Sequence, residues 1–436
     1  MVGEISARPF DQYVEENIFR PLGMNNSTFQ QPLPDRLSKQ MAIGYTYSGG
    51  DYKAEPFEYV VVWPAGSMSS TSADMARFMI AHLQNGRYGD ARILQDATAR
   101  RMHSLLFTSD PRVSGWDYGF MQMHMNNQSM IGHGGDTIQF HTLLMLLPEH
   151  NLGLFVSYNS QGGAAAGTEL LQEFLDRYYP YPVPAPRPSG SKDQSSNLTG
   201  SYLSSRRPYT TYDKLTSLFL EVNVAADGGN LTTTQAVVNA DKWDEVAPMA
   251  YRKADILAPY DGLIFHADAG RIDRFYKIND PAEAFERAAW YDSQYFNLGL
   301  LAVCVILFLS AIIFWPLCFI TGRSRFVGSQ DLASRYAHWL AGTASVLDLI
   351  FLTGLLAAIA VSPMDFIYSV PKSLTILLSL AIAASILAVA SAVMAALIWR
   401  RGVWHLRSRA YYTLVVLADL AFIWWLNNWN LLGFKY

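Results

Sequence analysis

The sequence predicts an α+β domain with an antiparallel sheet and helices, followed by a small all-β barrel and a four-helix transmembrane region. Three observations carry this. Residues 116–158 alternate and turn like an antiparallel meander, residues 197–290 hold short strand-like runs at regular spacing, and four long apolar runs fill the last third. Half of the 436 residues are hydrophobic, 16% are charged and the net charge is −4, so no basic patch for nucleic acid is present.

The meander is organised around Ile131-Gly132-His133-Gly134-Gly135-Asp136-Thr137. Trp116 to Met125 reads as the strand before it and Asn126-Asn127 as a turn. Phe140 to Leu147 and Leu152 to Tyr158 follow, separated by Glu149-His150-Asn151. Glycine packs nothing and loses the most entropy on ordering, so three in one strand imply that something comes close to this backbone.

The other elements follow from spacing. Phe10, Tyr13, Val14 and Ile18 recur at helical intervals, and Pro21-Leu22-Gly23 closes that helix. Thr71 to Asp74 reads as a capping box, opening a helix with inner face Met75, Phe78, Met79, His82 and Leu83 that Asn85-Gly86 stops. The hydroxyl-rich run Ser67 to Ser72 then reads as a loop plus N-cap. A helix is expected at about Thr168 to Tyr179, closing a first domain of residues 1–179. Residues 180–196 are a proline-dense, extended linker.

In 197–290, strands are expected at Leu198–Leu203, Leu215–Val224, Asn230–Thr232, Ala254–Ala258 and Gly262–His266. Tyr202, Arg206, Arg207, Tyr209 and Tyr212 form a basic, aromatic cluster, read as solvated surface with aromatic packing or as a substrate contact. The runs 297–320, 339–361, 373–399 and 411–432 are each long enough to cross a hydrocarbon core of ~30 Å.

Arg323, Arg325 and Arg335 lie between the first two spans, and Arg400, Arg401, Arg407 and Arg409 between the last two, while Ser362 to Pro371 has no basic residue. The positive-inside rule therefore places loops 321–338 and 400–410 in the cytoplasm and residues 1–296 outside. Asp348 and Asp419 fall near the middle of spans two and four. With no arginine or lysine at matching depth they read as protonated side chains hydrogen-bonding between helices, with a transport or relay role as the alternative. His82, His103, His124, His141 and His150 lack metal-ligand spacing, and Cys304 and Cys318 both fall in a span, so no metal, cofactor or disulfide framework is expected. His141 could approach His133 across a hairpin, with ordinary packing the simpler reading.

At His133-Gly134-Gly135, followed by Asp136-Thr137 and Phe140, the chain resembles the class C β-lactamase and penicillin-binding serine hydrolase family (peptidase S12-like), whose third active-site motif is Lys/His-x-Gly. Three further stretches agree in family order over residues 1–179: Phe10 to Met24, Pro64 to Arg77, and Ser157-Tyr158-Asn159. The resemblance implies hydrolysis of an amide or ester through an acyl-enzyme. It implies that His133 holds a substrate carboxylate or relays protons and that Gly134, Gly135 and Thr137 line the substrate. The backbone N–H of Asp136 would be one of two oxyanion donors.

The family reaction also needs Ser-x-x-Lys and Tyr-x-Asn/Ser, and residues 1–130 contain neither. Ser189-Gly190-Ser191-Lys192, Ser369-Val370-Pro371-Lys372 and Tyr295-Phe296-Asn297 match formally but fail on context: a proline-rich linker, an inserted proline and the mouth of a span. Met1 to Phe10 resembles the family segment directly after the tyrosine motif, and no signal peptide opens the chain. The expectation is therefore an incomplete catalytic fold, the C-terminal part of a membrane-anchored member. Residues 197–290 resemble the lipocalin-like module that follows the hydrolase domain in some relatives. The scarcity of cysteine fits a bacterial envelope protein.

Three readings stay open: a serine hydrolase acting on a small-molecule or peptide substrate, a non-catalytic module binding peptide or cell-wall fragments, and a membrane protein whose helices carry the function. The lipid bilayer is the expected partner.

Overall fold

The computed structural model describes all residues except 62, 183–194, 236–237, 255–260, 322–331, 363–365, 367–368 and 403. Several sequence-based expectations lie outside the described residues: the Ser189 to Lys192 match, most of the 180–196 linker, nearly all of the Ala254 to Ala258 strand, and Arg323 and Arg325. The chain divides into two units, one of Met1–Asn197, Ala226–Thr232 and Asp241–Ala284, the other of Leu198–Ala225, Thr233–Ala240 and Phe285–Tyr436.

In the first unit the expected N-terminal helix is present but interrupted. Phe10–Val14 is α-helical, Glu15–Phe19 is a π-turn, and Arg20–Leu22 ends at Gly23 with φ 66°. The wider π-turn brings Phe19 into the buried face beside Val14 and Leu22, while Ile18 stays partly buried against the same cluster. In sequence, a hairpin, β1 (Gly44–Ser48) and β2 (Asp51–Glu55), precedes the Ser72–Leu83 helix, and a short pair, β3 (Arg87–Tyr88) and β4 (Ala91–Arg92), follows it. Thr71 caps that helix by accepting from the Asp74 N–H at 3.3 Å. Asp74 does not complete the expected capping box. Its buried carboxylate accepts instead from the Asn26 N–H, the Ser27 hydroxyl and Arg77, tying the helix to the loop after Gly23.

The main sheet has the order β5 (Met121–Met125), β6 (Gln128–Asp136), β7 (His141–Leu147), β8 (Leu152–Tyr158), all antiparallel. Alternate residues face opposite helices. Ile131, Leu144 and Leu146 pack with Met79 of the Ser72–Leu83 helix, while Met130, Met145 and Leu147 pack with Leu171 and Leu175 of the Gly163–Tyr178 helix. Burial on both faces explains the unbroken apolar run of β7. The expected strand from Trp116 begins only at Met121, and Trp116 joins by isolated bridges to Phe107 and Met121.

Eight antiparallel strands close the barrel: β9 (Gly200–Ser204), β10 (Val222–Asp227), β11 (Asn230–Gln235), β12 (Val238–Ala247), β13 (Ala250–Lys253), β14 (Gly262–Asp268), β15 (Arg271–Lys277) and β16 (Ala284–Arg287). The expected strand at Leu215–Val224 is partly a 3-10 helix, Tyr212–Leu218. Leu218 there joins an apolar cluster with Phe308, Phe351 and Trp425 of the second unit, which overrides its strand-like sequence. Tyr202 is fully buried and donates to the Leu198 carbonyl, and Arg207 lies over Tyr209 and near Glu286. Packing thus accounts for most of the basic, aromatic cluster.

Among the described residues, four helices are long and apolar enough to cross a membrane: Gln294–Cys318, Ser334–Val361, Lys372–Arg401 and Leu406–Asn428. Ser345 donates to Asp419 at 3.3 Å between the second and fourth. Asp348 and Asp419 are both buried.

Candidate active site

The glycine-rich segment forms the end of β6. β5 pairs with β6 from Met125 opposite Gln128 only as far as Met121 opposite Gly132, whereas β7 continues to His141 opposite Asp136. On the β5 side, His133–Asp136 therefore form an edge that no described strand covers. The N–H of Thr137 donates to the Phe140 carbonyl at 2.8 Å. Antiparallel ladders alternate, so Gly135/Thr142 and His133/Leu144 are the hydrogen-bonded pairs before it. By the same alternation the N–H and C=O of Gly134 and Asp136 point away from β7, toward the open edge.

The three glycines do different things. A Cβ on Gly132 would lie 2.1 Å from the Leu144 carbonyl oxygen and 2.5 Å from the Met145 sulfur, so this glycine serves sheet packing. A Cβ on Gly134 would make ordinary contact with Thr142 O at 3.6 Å, and one on Gly135 would meet nothing within 4 Å. Neither of the last two is required by packing within the sheet, and the face of β6 at Gly135 is open.

His133 is exposed, its Nδ1–H donates to the Gly134 carbonyl, and its ring centroid is 6.4 Å from that of Trp116. In the neutral ring this leaves Nε2 as an acceptor. His141 stands opposite Asp136 rather than His133, and its Nδ1 meets the Asp136 carboxylate at 2.6 Å. The Nε2 of His141 is buried with no protein partner. Thr137 closes the turn, its hydroxyl accepting from the Phe140 N–H at 3.1 Å.

Two supports were invisible in the sequence. Both carboxylate oxygens of Glu58 accept from the Ile138 N–H, at 3.0 and 3.1 Å, holding the turn just beyond Thr137. Gly44 lies against the same turn, where a Cβ would sit 2.7 Å from Gln139 Cβ. Glu58 is 80 residues from Ile138 and belongs to no motif, so no local signal could have found it. The Asn159 amide and carbonyl anchor Ile43 and Tyr45 at the start of the same hairpin.

A histidine pair lies in the core of this unit. His82 Nδ1 and His103 Nε2 are 3.1 Å apart beside Phe78 and Phe120. Burial, reinforced by His103, pushes His82 down to about 4. Among the described residues the formal matches do not form a catalytic group: Ser369 and Val370 precede the helix that Pro371 caps and Lys372 opens. Asn297 is buried, spanning Tyr291, Ser293 and Trp429.

The β-lactamase family model matches residues 1–175. Residues 1–175 form a domain of the β-lactamase family. Two of the curated relatives that the chain matches are 27% identical to it over the aligned residues. Beta-lactamase-like protein 4 of Dictyostelium discoideum aligns over 157 residues, 34% of this chain and 27% of that protein. The D-alanyl-D-alanine-carboxypeptidase/endopeptidase AmpH of Escherichia coli (strain K12) aligns over 167 residues, 35% of this chain and 40% of that protein. The chain thus spans well under half the length of these relatives. Among solved structures, SurE is 18% identical with a TM-score of 0.43, covering 66% of this chain and 65% of its own.

Proposed function

We propose that residues 1–179 supply the substrate wall of an extracytoplasmic, membrane-anchored serine hydrolase that cleaves an amide or ester of peptide or cell-wall origin through an acyl-enzyme. The observation that carries this reading is the open edge of β6, toward which the Asp136 N–H points. An acyl chain lying antiparallel on this edge would exchange hydrogen bonds with Gly134 and present its carbonyl to Asp136. A donor fixed before the reaction in this way stabilises developing negative charge by about 3 kcal/mol. His133 supplies an imidazole that accepts a proton when neutral and holds a carboxylate when charged. The E. coli relative is named for D-alanyl-D-alanine peptides, which makes an acylated D-alanyl peptide the substrate class to try first.

The barrel is read as a lipocalin-like module. The four apolar helices are read as spans, with Arg335 and the arginines at 400, 401, 407 and 409 on the cytoplasmic side. One observation favours the binding-module reading instead: among the described residues no Ser-x-x-Lys lies within one helical turn. A fluorophosphonate probe and N-acetyl-D-alanyl-D-alanine, applied to the protein isolated from its native membrane in detergent micelles, separate the two. Serine labelling supports the hydrolase, ligand binding without labelling supports the module, and neither result refutes both.

A further inference from the structure

β5 leaves β6 at Gly132, and what stands beside His133 in its place is Trp116. This side chain is partly exposed, yet it is fixed from several directions. Its carbonyl accepts from the N–H groups of Leu106 and Phe107, its own N–H donates to Phe107, and its indole N–H donates to the Pro281 carbonyl at 3.0 Å. Pro281 belongs to the barrel segment within the same unit.

That segment also holds the residues before Trp116. The Ser114 N–H donates to the Ile278 carbonyl at 2.8 Å, Ser114 Oγ reaches Asn279 at 3.3 Å, and Val113 is buried among Ala250, Ile264 and Tyr276. The partner of Trp116 in its bridge, Phe107, is 58% exposed, and Leu106 beside it is 54% exposed. The His133 end of the open edge is therefore bordered by an indole and an apolar ledge.

We infer that Trp116 is a specificity-determining residue that stacks on an aromatic or large apolar side chain of the substrate, and that the barrel segment sets its position. The inference rests on the reading of His133–Asp136 as the substrate edge. An indole already fixed by backbone bonds and by Pro281 loses little freedom on binding, so its contact area is available for selection.

The test compares N-acetyl-D-phenylalanyl-D-alanine with N-acetyl-D-alanyl-D-alanine by calorimetry on the full chain in detergent micelles. The wild type is expected to bind the phenylalanyl probe about tenfold more tightly. Trp116→Ala should abolish that preference while leaving the alanyl probe within about twofold. Asn279→Ala, which loosens the seat of Ser114 without touching the edge, should reduce the preference in part, and serves where Trp116→Ala does not fold. Equal affinities in the wild type, or a preference that survives Trp116→Ala, overturn the inference. A preference unchanged in Asn279→Ala overturns the barrel's share in it. If neither probe binds the wild type, the edge reading itself fails and takes the inference with it.

Discussion

Acidification should unlock the histidine pair behind the main sheet. His82 is 3% exposed, its Nδ1 is 3.1 Å from His103 Nε2, and Phe78 and Phe120 enclose it. The hydrogen bond needs one donor and one acceptor, so a proton added to the pair removes its lone-pair acceptor and buries a charge. Desolvation, and then His103, lower His82 from 6.5 to about 4. A depressed value means that the unfolded chain takes up the proton first. The stabilisation is thus complete above pH 6.5 and is lost as the pH falls toward 4.

Integrating between those values, His82 alone removes about 2 kcal/mol by pH 5 and about 3 kcal/mol near pH 4. The perturbation that isolates it is His82→Leu, which keeps apolar volume between the phenylalanines. The assay is urea unfolding of the full chain in micelles, followed by hydrogen-exchange protection of the Ser72–Leu83 helix at pH 7 and pH 5. The wild type should lose about 2 kcal/mol more than the variant on this step. Equal losses would refute the assignment of a buried, neutral His82.

Other perturbations give distinct outcomes. Gly132→Ala should cost about 1–3 kcal/mol in thermal unfolding, because its Cβ meets a backbone oxygen of β7. Gly135→Ala should leave stability within about 1 kcal/mol while weakening N-acetyl-D-alanyl-D-alanine binding in calorimetry. Asp117 is buried with one oxygen bonded to Gln122 and the other unpartnered, and burial raises its carboxyl above the usual range. Its ionisation erodes stability as the pH rises through that raised value. Asp117→Asn should therefore be more stable than the wild type at pH 7, an advantage that disappears below about pH 4 in chemical unfolding. Glu58→Ala should speed amide exchange at Ile138 and cost about 1–2 kcal/mol, since it leaves that N–H without its carboxylate acceptors.

The legible parts of the chain were those written locally. Apolar length revealed the four long helices, the Thr71 cap revealed the Ser72–Leu83 helix, and the order of motifs revealed the β-lactamase-family domain. The three glycines were visible as a group, but their division was not, because only the register with Leu144 and Met145 shows that Gly132 serves packing. Tertiary contacts displaced several expectations. Leu215 to Leu218 left a strand for an apolar cluster, Asp74 left its capping box for Asn26 and Arg77, and a π-turn brought Phe19 into the core alongside Ile18. Glu58 and Gly44 reach the site from distant segments, and no periodicity records such contacts; Trp116 reads as part of the preceding strand, but its position beside His133 was not legible.

The most direct measurement is residue-resolved amide exchange of β6 in the full chain, with and without saturating N-acetyl-D-alanyl-D-alanine. Gly134 and Asp136 direct their N–H groups to the open edge, while Gly135 and Thr137 already bond to the β7 side. Ligand-induced protection should therefore appear at Gly134 and Asp136 and be absent at Gly135 and Thr137. Protection spread evenly over the strand, or confined to residues elsewhere, would contradict the assignment of this edge as the substrate wall.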